Sequence, residues 1–323
     1  MTTLPDLSGL TTERSDPRFG ELDRLTTREA AALMNSEDAG VPAAVAEKLD
    51  EIAAAVDAIA ERMGRGGRLL YAGAGTAGRL GVLDASECPP TFSTDPTQVV
   101  GIIAGGPTAL TTAIEGAEDD RDLAVADVAR LEVGPDDSLV GISASGRTPY
   151  AIAAVEEARR RGAFTVGLSC NGSSSLGDAA EVAIEVVTGP EIVTGSTRLK
   201  AGTAQKLVLN MLSTLTMVRL GKTYGSLMVD VRATNEKLRA RAHGMVAAAT
   251  GAADDEVSRA LSASAGRAKV AILMLTAGID VAEADTLLDA HGGRLRAALA
   301  AASTLPDTDP QTDHHADEGV TRP

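Results

Sequence analysis

Between residues 68 and 187, short and wholly apolar runs alternate with longer segments of helical periodicity, a pattern that few folds can bury. GRLLYAGAG, QVVGIIAGG, DSLVGISASG, AFTVGLSCN and AEVAIEVVTG read as five strands without polar alternation. Strands of that kind are covered on both faces, as in a parallel sheet crossed by helices. The expected fold class is α/β, a doubly wound parallel sheet in three layers, with ligands received at the carboxyl ends of the strands. TAGRLGVLDASE, TALTTAIEGAEDDRDLAVADVARL and YAIAAVEEARRRG supply crossover helices, the first stopped by Pro89-Pro90.

The flanks read as helical. TTREAAALMNSED and VPAAVAEKLDEIAAAVDAIAERMGRGG precede the first strand. After the last, STRLKAGTAQKLVLNMLSTLTMVRLG predicts a long helix with an apolar stripe of Leu207, Val208, Met211, Leu212, Leu215 and Val218. Ala-rich helices follow. The expected organisation is a helical arm over 1–50, a main domain over 51–225, a small helical module over 226–303 and a disordered acidic tail over 304–323.

Composition narrows the function. Aromatics are 2% of the 323 residues, Trp is absent and the net charge is -15. Few rings are available to stack on bases, and backbone phosphates are repelled, so no nucleic-acid partner is expected. Cys88 and Cys170 read as two reduced, buried thiols, which suits a cytoplasmic location. No export signal or run of 18 apolar residues occurs, so no membrane partner is expected. His243, His291, His314 and His315 lack metal-ligand spacing, and no GxSxG elbow or Cys-His pairing marks a nucleophile.

Gly73, Gly75 and Gly78 stand in the GxGxxG order of dinucleotide sites. Such a site also needs an acid closing the second strand to hold the ribose hydroxyls. Here that strand closes on glycines, and Asp95 precedes it. No organic cofactor is expected. A second polar turn, SASGRT, places Ser143, Ser145, Arg147 and Thr148 at a helix mouth, as Gly75, Thr76 and Arg79 do in the first. Backbone amides and hydroxyls there suit an anion. The same residues serve as caps and turn formers, but two such turns at the ends of two strands favour one small phosphorylated ligand.

Carboxylates are the remaining candidates for chemistry. Glu87 precedes Pro89-Pro90 with Cys88 between, and Glu115 and Glu118 stand at i and i+3 on the expected second helix, sharing a face. Spacing does not choose among the three. A positioned pair would shuttle the acidic protons beside a phosphosugar carbonyl.

The blocks GAGTAGRLGVLDASECPPTF, IAGG, IEGAEDD, GISASGRTPYAI and GSTRLKAGTAQKLVLNMLST together resemble the N-acetylmuramic acid 6-phosphate etherase family, which has the sugar isomerase (SIS) fold. The likeness runs from TTERSDPRFGELDRL to LLDAHGGRLRAAL, nearly the whole chain. It implies the substrate N-acetylmuramate 6-phosphate and cleavage of its lactyl ether to N-acetylglucosamine 6-phosphate and D-lactate, in cell-wall sugar recycling. It implies no metal or organic cofactor, Glu87 as proton donor, Glu118 as the other acid or base, and a homodimer with the active site near the subunit interface. Ala77 departs from the serine of many relatives and removes one hydroxyl from the turn that approaches the phosphate. Two other readings share the fold: a non-catalytic regulator that binds sugar phosphates, and a phosphosugar isomerase. Intact ASECPP and EGAED favour the enzyme.

Overall fold

A computed structural model describes residues 9–230 and 236–303. Its centre is a five-stranded sheet of β1 (Leu69–Gly73), β2 (Val99–Ile103), β3 (Ser138–Ser143), β4 (Phe164–Ser169) and β5 (Val182–Glu185), all parallel, in the order β2-β1-β3-β4-β5. The five apolar runs are these five strands, so the doubly wound, three-layer α/β sheet expected of the sequence is the fold. Alternate residues serve opposite cores: Leu69, Tyr71, Val140 and Val166 face one layer, and Leu70, Ala72 and Leu139 the other.

One layer is α3 (Leu49–Gly64), α4 (Gly75–Phe92) and α8 (Lys200–Arg219); the other is α5 (Arg121–Arg130), α6 (Pro149–Arg160) and the short α7 (Ser175–Ala179). Gly73 of β1 and Gly78 of α4 let the helix lie against the strand that precedes it. A Cβ on Gly78 would fall 2.6 Å from the Gly73 carbonyl oxygen, so the GxGxxG spacing here serves close helix-strand packing.

Two expected helices differ. α4 does not stop at Pro89-Pro90 but runs through both to Phe92, ending at Ser93 in the left-handed region, φ 52°. The prolines occupy the last turn, where their fixed φ is helical and only the bonds to the Ala85 and Ser86 carbonyls are lost. Burial of Cys88 and Phe92 on one face carries the helix past them. The expected helix over 108–131 is α5 alone, preceded by 3₁₀ turns at Pro107–Leu110 and Ala117–Asp119. Gly116 at φ 75° breaks the path, and Asp120 starts α5 by accepting a bond from the Leu123 N–H at 2.8 Å. Glu115 and Glu118 therefore do not share a helix face.

The arm, α1 (Thr27–Asp38) and α2 (Val41–Ala46), buries Val41 and Val45 in the same core as α3 and α8. Thr11 and Thr12 tie the arm to the loop after β4: Thr11 N–H donates to Asn171 Oδ1 at 2.7 Å, and Asn171 Nδ2 donates to Thr12 Oγ1 at 3.0 Å. Glu37 of α1 joins Arg18 to the buried Lys200 at the head of α8. Beyond α8, α9 (Glu236–Thr250), α10 (Asp254–Ala263), α11 (Ala268–Ala277), α12 (Val281–Ala290) and α13 (Leu295–Ala302) surround their own core of Val246, Val257, Ile272, Leu273 and Leu295. The acidic tail, with His314 and His315, lies outside the described residues. Among those residues no helix is long and apolar enough to cross a membrane.

Candidate functional site

Strand order reverses between β1 and β3, whose neighbours lie on opposite sides, and a doubly wound sheet opens a crevice at that point. A cleft of about 470 Å³ lies there. The first turn of α4 (Gly75, Thr76 and Ala77) forms one wall, and Ser143, Ser145, Arg147 and Thr148 before α6 form the next.

Both helices open on the cleft without a side-chain cap, at Ala74 and at Thr148, whereas neighbouring α5 and α7 are capped by Asp120 and Ser174. The leading amides of α4, and in α6 those that follow Pro149, are thus left to a ligand, with the positive ends of two helix dipoles behind them. In the second turn the hydroxyls are also tied to each other. Ser143 Oγ lies 2.8 Å from Thr148 Oγ1 and 3.2 Å from Ser145 Oγ, while the Gly146 N–H donates to Ser143 Oγ at 3.0 Å. Gly146 has φ 69°, and a Cβ on it would collide with the Ser174 side chain. The turn is held in shape before any ligand arrives.

The structure brings Gly75, Thr76, Ser143, Ser145, Arg147, Thr148 and Glu118 of the expected residues to this cleft. Arg79 is not among its lining. One turn further along α4, its guanidinium donates to the Ala109 and Leu110 carbonyls at 2.7 and 3.0 Å and fixes the turn at 107–110. It lines an adjoining recess of about 170 Å³ with Glu115. Glu87 is exposed on α4, twelve residues past Gly75 and so ~18 Å down the helix axis. Glu87 is not among the residues that line the cleft with Glu118.

Four polar lining residues escaped the sequence: Glu13 from the N-terminal segment, Asp119, Thr197 and Gln205. Glu13 comes from the far end of the chain, which no local pattern announces. Gln205 carried a signal, being a polar residue beside Ala201, Ala204 and Val208 on the buried face of α8. The cleft holds the carboxylates of Glu13, Glu118 and Asp119 against one guanidinium, Arg147, so proton-accepting groups and an anion site lie side by side.

Below the cleft a buried network ties three elements. Asp84 of α4 accepts from Tyr71 Oη of β1 at 2.8 Å, and from Asn210 Nδ2 and Ser213 Oγ of α8 at 2.7 and 3.1 Å. Burial raises the Asp84 carboxyl above its usual range despite these bonds, and raises the Tyr71 hydroxyl. Both cysteines are free and buried, and burial pushes each thiol up to about 12, so neither is a ready nucleophile. Among the described residues no group of His, Cys, Asp and Glu could hold a metal ion.

A parallel sheet of this order with a cleft at its reversal is a doubly wound α/β fold built to receive a ligand at its strand ends, and the sequence places it in the sugar isomerase (SIS) class. Residues 51–159 match the glucokinase regulatory protein N-terminal SIS domain, and residues 122–215 match the SIS domain. The chain belongs to the N-acetylmuramic acid 6-phosphate etherase family. It is 68% identical over 297 residues to the protein so named from Streptomyces avermitilis, covering 92% of this chain and 96% of that one. Those from Mycolicibacterium smegmatis and Rubrobacter xylanophilus are 55% and 57% identical, with 92% and 91% of this chain covered and 99% and 97% of theirs.

Proposed function

We propose that this chain cleaves the lactyl ether of N-acetylmuramate 6-phosphate, giving N-acetylglucosamine 6-phosphate and D-lactate. The observation that carries the reading is the meeting of two uncapped helix N-termini with Glu118 in one cleft. The phosphoryl group sits against Gly75, Thr76, Ser143, Ser145 and Thr148, with Arg147 beside it, which orients the sugar chain.

Ring opening exposes an aldehyde that acidifies the proton on C2. Glu118 takes that proton, the C2–C3 double bond forms, and the C3–O bond breaks as an acid protonates the departing lactyl oxygen. Water then adds to the unsaturated aldehyde, its oxygen to C3 and a proton to C2, the acid of the first half now acting as base. Each such group contributes on the order of 10² to 10⁴ in rate.

Glu87 fills the second role from the other subunit of a homodimer. Support comes from its exposure outside its own cleft, and from Leu83, 52% exposed and one turn away on the same face of α4. Leu215 and Val218 of neighbouring α8 are exposed as well, at 43% and 42%. A second reading keeps the reaction within one protomer, with Glu13 or Asp119 as the acid, because both line the cleft with Glu118. Residues 51–225 are taken as the sugar-phosphate domain and 226–303 as a helical module, which its separate core supports. Two free, buried thiols favour a cytoplasmic location.

Lactate release from N-acetylmuramate 6-phosphate tests the reaction, and its absence overturns it. In deuterated water Glu87→Gln is expected to exchange the C2 proton while releasing little lactate, and Glu118→Gln to lose both; the reverse pattern exchanges the roles. Mixing the two inactive variants at equal concentration tests the shared site. Half the dimers are then mixed, each with one intact site of two, so activity returns to about a quarter of wild type. No recovery in a mixture shown to exchange subunits favours the reading within one protomer.

A further inference from the structure

Among the described residues six buried side-chain atoms lack a hydrogen-bond partner, and only one of them, Nε2 of Gln205, belongs to a residue lining the cleft. Gln205 is 1% exposed. Buried amide donors are almost always paired, because the desolvation they suffer is otherwise uncompensated. An unpaired one on a residue that lines a binding cleft is a donor that a turn of the side chain offers to a ligand.

The surroundings indicate which ligand atom it meets. α8 lies alongside α4, so close at its head that a Cβ on Gly202 would touch the Thr76 methyl at 3.5 Å. Further down, Asn210 and Ser213 grip Asp84 of α4 and fix the register of the two helices. Gln205, one turn past Gly202, therefore stands against the uncapped first turn of α4. We infer that Gln205 is a substrate-binding residue whose Nε2–H donates to a phosphoryl oxygen of the bound sugar phosphate. The inference rests on the phosphosugar reading above and adds a third element, α8, to a phosphate site otherwise made by α4 and the turn before α6. A neutral amide meets the anion without pairing with the carboxylates of Glu13, Glu118 and Asp119 across the cleft.

The test compares the full-length protein with Gln205→Leu and Gln205→Met, which remove the donor and keep the volume, and with Gln205→Glu, which sets a carboxylate against the phosphate. Affinity for N-acetylglucosamine 6-phosphate is read by calorimetry, inhibition by inorganic phosphate from lactate release, and the thermal midpoint without ligand. Both apolar variants are expected to bind the sugar phosphate and inorganic phosphate about tenfold to a hundredfold more weakly. Their midpoints stay at or above that of wild type, since an unpaired buried donor has gone, and Gln205→Glu binds more weakly still. Unchanged affinity in both apolar variants overturns the inference, as does a midpoint lowered by several degrees in both, which makes the residue structural. Loss of sugar-phosphate affinity with phosphate inhibition intact also overturns it, by moving the contact off the phosphoryl group. Wild-type protein that releases no lactate and binds no sugar phosphate defeats the functional reading instead.

Discussion

Ser145 shows how one residue serves two purposes. Its hydroxyl lies 3.2 Å from Ser143 Oγ and accepts from the Arg147 N–H at 3.2 Å, so it shapes the turn, and it also lines the cleft. A hydrogen bond to a charged group is worth roughly 1.5 to 3 kcal/mol, and a neutral one about 1. The contact to phosphate therefore outweighs the bond inside the turn. Ser145→Ala is expected to raise KM about tenfold to a hundredfold with a smaller fall in kcat, as steady-state lactate release will show; an unchanged KM leaves Ser145 as a turn former only. Sequence showed the residue types of both turns but not which of them face the ligand. Thr76 and Ser143 do line the cleft, while Arg79, one turn further along α4, is spent on the Ala109 and Leu110 carbonyls.

Among the elements, α4 does the most. Its first turn faces the cleft, its middle is clamped to β1 and α8 through Asp84, and its last turns carry Glu87 and the two prolines. Asp84→Ala would leave the donors of Tyr71, Asn210 and Ser213 buried and unpaired, at a cost of about 3 kcal/mol. Urea unfolding should show the midpoint falling with the slope unchanged. A loss under 1 kcal/mol would mean that water replaces the carboxylate. The extent of α4 was only partly legible, because proline usually ends a helix. Here the buried face of Cys88 and Phe92, visible only once the sheet is assembled, carries it onward. Conversely, the stretch from 107 to 120 has helical composition, and Gly116 with the Asp120 cap divides it. That division puts Glu118 in a turn at the cleft mouth and leaves Glu115 in the recess beside it.

At the scale of the whole molecule, acid should act through a few carboxylates. Glu157 is held at about 2 by its side-chain bonds from Arg160 and Arg161. Burial raises Asp137, but bonds from Arg68 and the Gly134 N–H outweigh it and hold the group below its usual value. The unfolded forms titrate near their ordinary values of about 4, so below pH ~5 the unfolded chain takes up protons first and stability is lost toward pH 2. Asp84 and Glu191, raised by burial, act with the opposite sign: their charged forms cost stability, and protonation relieves it. Glu157→Gln should lower the thermal midpoint at pH 7 and converge on wild type near pH 2. An equal deficit at both values would trace the effect to packing rather than charge.

The sequence by itself determined the layers, the five strands, the two polar turns and the candidate carboxylates. Each is a local pattern, written in the period of apolar residues, in glycines and in short motifs, and each is set by interactions a few residues long. Tertiary structure decided which of those residues meet. The order β2-β1-β3-β4-β5 sets the first turn of α4 beside SASGRT, the N-terminal segment held by Asn171 delivers Glu13, and the packing of α8 on α4 brings in Gln205. The same geometry turns Glu87 outward, away from the cleft that holds Glu118. Contacts between residues more than a hundred positions apart depend on how whole elements stack, and that information resides in the summed burial of the core rather than in any single stretch of chain.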